Sequence, residues 1–368
     1  MSRYRFELAT QADDAQLRAR MREGAMEGNI AISFRREPSY FLGCRLQGDR
    51  TEVVKCVDTQ TNTIVGLGSR STSEAYINGV AQRIGYLADL RSISAYRGGT
   101  LLARGYGFLR QLHEADPVPF YITVIYDGNE VALRNLVGAR AGLPEYHEMG
   151  RLLTPAIHLD VRRRESACHG LRFRRGSSVQ LPQIVRFLNQ SLREKQLAPV
   201  YRESDFEHGR FCDLRPQDFF LAMEGEKICG TVAAWDQYRM RQTHVERYSL
   251  KLATIRPFYN LAATVSPLRA LPGIGHAIPY IYLACVAVRN NDPDVFRCLL
   301  RAAYNELRHG KWHYAIIGLD ATDPLASVLG DYRSIPAAGR VFSVRYPVDG
   351  ACAAPLAGTG FYLEAGCL

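Results

Sequence analysis

The sequence has no run approaching the roughly 20 apolar residues that a membrane span needs, and its first eight residues, Met1 to Leu8, hold no apolar core behind their basic residues. These absences lead us to expect a cytoplasmic protein with no membrane partner. Nine cysteines are scattered without a CxxC pair, and no histidines take the HExxH spacing of a metallohydrolase. Their odd number and wide spacing lead to an expectation of reduced, mostly buried thiols and no metal site. Local concentration of charge is also scarce. The 46 Lys and Arg against 37 Asp and Glu give a net +9, which permits an anionic ligand, but the cations are spread out. The densest group, Arg162-Arg163-Arg164, falls where a linker is expected and reads as solvated chain, so no nucleic-acid partner is expected. Oligomeric state leaves no mark on the sequence.

What the chain does have is enough apolar substance for folding throughout. Its 368 residues are 47% hydrophobic and 10% aromatic, a composition and length that suit two α/β domains. The first half reads as a short strand at 4–8, a helix reaching Arg22, and a meander with strands near 30–34, 52–57, 63–69 and 83–93. Asn78-Gly79 is a strong hairpin signal inside it. A helix follows whose apolar positions Leu101, Leu102, Phe108, Leu109 and Leu112 recur at helical spacing. Next come a strand at 120–125, a helix at 129–137 and a strand through 151–159.

The second half repeats the order: helix 181–194, strands 219–223, 227–235 and 280–288, helix 294–308, strand 314–319, a short helix near 324–329 and a strand at 341–346. Corresponding features differ by an offset of roughly 195 residues, which implies a duplicated fold. The boundaries expected are 1–162 for the first unit and 168–368 for the second. The second unit carries an insert, 236–279, that is rich in aromatic and basic residues and could cover a cleft.

The segment from Leu90 to Leu102 carries the chemistry. Strand, glycine-containing turn and helix succeed one another, so backbone N–H groups and the positive end of the helix can meet a pyrophosphate beside Arg97. With the meander before it and Asn129-Glu130-Val131-Ala132 after the next strand, this segment resembles the GNAT (GCN5-related) N-acetyltransferase superfamily. The paired arrangement looks like tandem members such as mycothiol synthase. The resemblance implies a mixed sheet with helices, a pantetheine arm along Leu90, Arg91 and Ser92, a pyrophosphate against Arg97, Gly98, Gly99, Thr100 and Leu101, and a cofactor contact from Asn129. Acetyl-CoA or another acyl-CoA is the implied co-substrate, with a small-molecule or peptide amine as acceptor.

The sequence departs from the family pattern at two places. The loop lacks the family's regular glycine spacing, and the tyrosine that many members place about seven residues after the asparagine is replaced by Leu136. In the second half the matching loop, Arg289 to Asp294, has no glycine and sets Asp292 and Asp294 where a pyrophosphate would lie. Asp323 stands where Asn129 does. This second unit is expected to be degenerate and to bind no CoA, with its aspartates capping the helix.

Transfer to an amine needs a proton acceptor, oxyanion donors and an acid for the leaving thiolate. Asp89 is the candidate base, although pairing with Arg91 or Arg83 would account for it equally well. Tyr121 and Tyr126 are candidate acids, and packing explains either. The expected activity is acyl-CoA-dependent N-acyl transfer, most simply acetyl transfer in a ternary complex. Alternatives are a longer acyl donor, as in an N-acyl amino acid synthase, and a non-catalytic CoA- or partner-binding protein.

Overall fold

The computed structural model describes residues 3–96, 100–138, 142–164, 168, 170–346 and 360–368. The first half supplies strands β1 (Tyr4–Leu8), β2 (Ile30–Arg35), β3 (Arg50–Asp58), β4 (Thr63–Ile77), β5 (Val80–Ser92), β6 (Tyr121–Tyr126), β7 (Glu145–Leu153) and β8 (Ala156–His158). Its helices are α1 (Asp14–Arg22), α2 (Tyr40–Cys44), α3 (Leu101–Ala115) and α4 (Glu130–Leu136). The second half supplies β9 (Leu171–Arg175), β10 (Phe219–Glu224), β11 (Lys227–Trp235), β12 (Gln242–Tyr248), β13 (Tyr280–Val288), β14 (Tyr314–Ile317), β15 (Leu319–Asp320), β16 (Ser334–Ile335) and β17 (Ala338–Arg345). Helices α5 (Leu181–Leu192), α6 (Glu203–Glu207), α7 (Leu250–Ala263) and α8 (Pro293–Leu307) accompany them.

The strands build two mixed sheets. One runs β1-β3-β4-β5-β6-β17-β7-β15 and the other β16-β8-β14-β13-β11-β10-β9, while β2 and β12 pair as a separate ribbon. Helix α3 packs on β1 and β3, whereas α5 and α8 pack on the second sheet. The expected hairpin is present: Ile77 pairs with Val80 across Asn78 and Gly79, both with positive φ, the geometry that makes Asn-Gly the favoured two-residue turn. That strand pair is longer than the pattern suggests, since β4 continues through Ile77.

The halves exchange strands. β17, from the end of the second half, lies between β6 and β7 of the first sheet, pairing antiparallel with both. In return β8, from the first half, pairs with β14 and β16 of the second. Each sheet is thereby completed by chain from the other half, and Phe342 and Val344 of β17 are buried in a core with Leu109, Tyr121 and Leu136.

One correction concerns the cysteines. Cys168 and Cys298, 130 residues apart, form a disulfide with Cα atoms 6.5 Å apart. Spacing along the chain gave no sign of it, because folding brings the segment before β9 against α8. The other described cysteines are free thiols, mostly buried as expected.

The parallel strand pairs open in both halves. β5 and β6 pair only at Gly85–Tyr121 and Tyr86–Ile122, after which a side-chain bond from Thr123 Oγ1 to the Leu87 carbonyl (2.8 Å) replaces the ladder. Gly85 is required here, since the Tyr121 ring lies 2.0 Å from where a Cβ would be. β13 and β14 part after Leu283–Ile317. Into that second opening runs the segment 360–368. Glu364, buried, accepts from the Cys285 N–H (2.7 Å) and the Tyr362 hydroxyl (2.8 Å), and that hydroxyl accepts from the Val286 N–H (3.0 Å).

Two outcomes follow from this packing. Gly85→Ala should lower stability by about 1–3 kcal/mol, because ring and methyl cannot share the space; a denaturant midpoint equal to wild type would contradict the contact. Burial raises the Glu364 pKa, so the folded state holds its proton above the ordinary glutamate range near 4.5. Protons are then bound more by the folded than by the unfolded chain, and stability falls as pH rises above that range, by at most about 1.4 kcal/mol per pH unit. Chemical denaturation between pH 4.5 and 7 should show this decline in wild type and a shallower one in Glu364→Gln.

Candidate functional site

The opening in the first sheet begins at a β-bulge. Asp89 adopts φ +57°, in the left-handed region that favours glycine, and the β4–β5 register shifts around it. Its carboxylate is tied down. Arg36 pairs with Asp89 Oδ2 at 2.5 Å, the Tyr40 hydroxyl donates to the same oxygen at 2.9 Å, and Gln47 Nε2 lies at 3.5 Å. Arg36 and Tyr40 are both buried, and the Arg36 guanidinium lies over the Tyr40 ring at 4.8 Å. Burial opposes the Arg36 charge, but Asp89 beside it outweighs that cost and raises its pKa. Burial and then Asp89 raise that of Tyr40. Neither expected arginine forms the ion pair with Asp89: Arg83 pairs with Asp116 at 2.5 Å, and Arg91 donates to the Glu23 carbonyl at 2.9 Å.

Beyond the bulge, Leu90 is exposed and Ser92 ends β5, six residues past the last β5–β6 ladder pair at Tyr86–Ile122. Arg97, Gly98 and Gly99 lie outside the described residues. Thr100 and Leu101 open α3, and the Thr100 side chain makes no capping hydrogen bond. The first-turn N–H groups of that helix are therefore not satisfied from Thr100. α8, its counterpart, is closed: Asp292 Oδ1 accepts from Asp294 N (2.8 Å) and Val295 N (3.4 Å).

Asn129 caps α4 by accepting from Ala132 N at 3.1 Å. Its counterpart Asp323 caps the following turn and is joined to Lys195 (2.6 Å) and Asn291 (2.9 Å) in a closed polar network. Leu136 is buried against the first-half core, where a tyrosine hydroxyl would lack water.

The two candidate acids part company. Tyr121 is buried, and its hydroxyl is held by Arg70 Nε (2.9 Å) and His113 Nδ1 (2.8 Å). Tyr126 is half-buried at the end of β6, with its pKa pushed up to about 12 by burial and then by Tyr282, against a lowering from Arg241. The pKa of Tyr86 is raised by burial and then by Tyr126 and Asp89. Arg36, Tyr40, Tyr86, Arg241 and Glu364 were not singled out by sequence, since each acts through a partner tens of residues away.

Arg241 ties β13 to the last residues of the described chain. It lies over the Tyr282 ring at 5.6 Å and donates to the Gly366 and Leu368 carbonyls. Tyr282 meets Tyr280 edge-on at 5.4 Å. Tyr280 in turn lines a cavity of about 480 Å³ shared with Asp236, Tyr238, His244, His276 and Trp312. This cavity lies in the second-half insert, not at the α3 start. A smaller space of about 40 Å³ lies nearer the opening, between Gly85, Tyr86 and Ile122 on one side and Leu363 and Glu364 on the other. His309 and His313 stand four apart but follow the end of α8 in irregular chain, and no group of His, Cys, Asp and Glu among the described residues is arranged to hold a metal ion.

No protein-family model matches the chain, nor does any curated protein. Solved structures do. A GCN5-related N-acetyltransferase from Sphaerobacter thermophilus is 11% identical, with a TM-score of 0.55 over 93% of this chain and 96% of that one. Saccharomyces cerevisiae N-myristoyltransferase with bound myristoyl-CoA is 11% identical, with a TM-score of 0.59 over 94% and 79%. A GCN5-related N-acetyltransferase from Anabaena variabilis is 10% identical, with a TM-score of 0.51 over 93% and 72%. At such identities the likeness is one of architecture, and it agrees with the diverging strands, the bulge and the repeated plan: the chain has the fold of the GCN5-related N-acetyltransferase superfamily.

Proposed function

We propose that this chain is an acyl-CoA-dependent N-acyltransferase, moving an acetyl group from acetyl-CoA to a primary amine by direct attack in a ternary complex. The observation that carries the reading is the asymmetry between the two openings. In the first, β5 leaves β6 after Tyr86 and the Thr100 side chain does not cap α3. In the second, Glu364 and Tyr362 occupy the backbone N–H groups of Cys285 and Val286, and Asp292 caps α8. A pantetheine arm fits the first arrangement and would have to displace buried protein in the second. The unit at 1–162 then holds acyl-CoA through Leu90 to Ser92, Arg97 to Leu101 and Asn129, while 168–368 shapes the acceptor site. The acceptor, a small-molecule or peptide amine, would approach through the aromatic cavity at Tyr280 and Trp312.

In this reaction the neutral amine attacks the thioester carbon, a C–N bond forms and the carbonyl electron pair moves to oxygen. Backbone N–H groups past the bulge stabilise that oxyanion. Collapse restores the carbonyl and breaks the C–S bond, leaving an amide and a thiolate. The thiolate takes the proton of Tyr126, which is protonated at neutral pH because burial raises its pKa, and the proton lost from nitrogen passes through water back to the tyrosinate. Asp89, committed to Arg36 and Tyr40, acts as the positioning residue that holds the bulge open. Tyr121, held by Arg70 and His113, serves packing.

Thiol release from acetyl-CoA across a panel of amines tests the activity; CoA binding with no release on any amine would favour a non-catalytic binder. Replacing acetyl-CoA with longer acyl-CoAs in the same assay reads the preferred donor. Tyr126→Phe should lower kcat by about 10²-fold or more while leaving CoA affinity unchanged; an unchanged kcat would place the acid elsewhere. Arg97→Glu should weaken CoA binding at least about tenfold, about 1.4 kcal/mol, by setting like charge beside the pyrophosphate. Calorimetry should find no comparable effect in Asp292→Arg, and an equal one would move the site to the second half.

A further inference from the structure

From residue 247 to residue 279 the sequence holds four Lys and Arg and no Asp or Glu. The whole of this stretch lies in the insert, and its central element is α7, a 14-residue helix in which no residue is buried. A surface helix ordinarily turns its apolar stripe to the core. Here the largest apolar side chains point outward. The inner face is mixed, with Leu252 and Tyr259 half-buried beside polar contacts: Arg256 lies over the Tyr248 ring at 5.4 Å, and Asn260 exchanges two hydrogen bonds with the Leu271 backbone (3.1 and 2.8 Å). These contacts fix the helix to the segment that returns from it.

The outer face is apolar. Leu250 is 90% exposed, Phe258 76%, Leu261 69% and Val265 89%. Spacings of eight and three residues put Leu250, Phe258 and Leu261 on one stripe of α7, Val265 follows just past the helix end, and Ile255 and Ile274 are also exposed. Lys251 is exposed on the same helix. Arg247, two residues before the Ser249 cap, is exposed and pairs with Glu27 at 2.6 Å. Arg269, on the returning segment, donates to the Leu159 and Arg308 carbonyls, which ties the arm beside the Arg162-Arg163-Arg164 run.

We propose that α7 and the arm that follows it seat the protein on an anionic lipid bilayer, with the apolar stripe at the boundary of headgroups and acyl chains. Large apolar side chains beside Lys251, Arg256 and Arg269, on a stretch that itself carries no carboxylate and with Glu27 engaged by Arg247, are what such a surface attracts. Charge also argues against a second copy as occupant. A twofold contact sets the same patch against itself, bringing Lys251 towards its own equivalent. Seating here goes beyond the expectation of no membrane partner, which rested on the absence of a spanning segment. It is independent of the acyl-transfer reading.

The test is flotation of the full chain with vesicles of phosphatidylglycerol and phosphatidylcholine, and with phosphatidylcholine alone. Wild type should float with the anionic vesicles and much less with the neutral ones, and added salt should reduce the difference. Phe258→Ser/Leu261→Ser should cut the bound fraction about tenfold or more, as expected for two lost apolar anchors. Its melting temperature should be unchanged, because neither side chain is buried. Lys251→Glu should weaken binding with no apolar change. Wild type that fails to float, floats equally on neutral vesicles, or floats as well with the double substitution would overturn the proposal. So would a dimer in sedimentation that the double variant converts to monomer, which would assign the stripe to a second copy.

Discussion

A strand that pairs along its whole length offers nothing to a ligand, because neighbouring strands use its backbone N–H groups. The architecture of this protein depends on two places where that pairing is broken. Asp89 and Cys285 both take positive φ, and both lie where the ladder to the preceding antiparallel strand loses register. They correspond under the repeat offset of roughly 195 residues. At each, a parallel pair parts, and buried N–H groups must find another partner. The second half meets this requirement with Glu364 and Tyr362. In the first, protein side chains hold the bulge from below, through Arg36 and Tyr40, and the opening is left beside α3.

Strand exchange makes the two halves a single mechanical unit. β17 supplies the strand against which β6 is held, so the position of Tyr126 depends on chain from the end of the second half, where Gly339 pairs opposite it. The β2–β12 ribbon reinforces the connection. A cleft built this way is fixed by packing on both sides, which suits a reaction that depends on holding an amine close to a thioester.

Local chemistry was legible in the sequence. Asn78-Gly79 gave its turn, Asp292 its helix cap, and the apolar spacing of Leu101, Leu102 and Leu109 its helix, because each signal lies within a few residues of its effect. The strand exchange was not legible, since β17 pairs with strands about two hundred residues earlier and its alternation looks the same in either sheet. Asp89 was found as a site candidate, yet its partner Arg36 lies 53 positions away and two nearer arginines were the expected ones. Helix α7 was missed for a physical reason: its stripe faces outward, and with half-buried Leu252 and Tyr259 the apolar residues read as an irregular insert.

Amide hydrogen exchange with and without CoA tests the central claim most directly. The account predicts slower exchange in the segments at 87–92 and 100–104 on adding CoA, with 283–295 unchanged because Glu364, Tyr362 and Asp292 already occupy it. Protection appearing at 283–295, or no protection at 87–104 at saturating CoA, would contradict it.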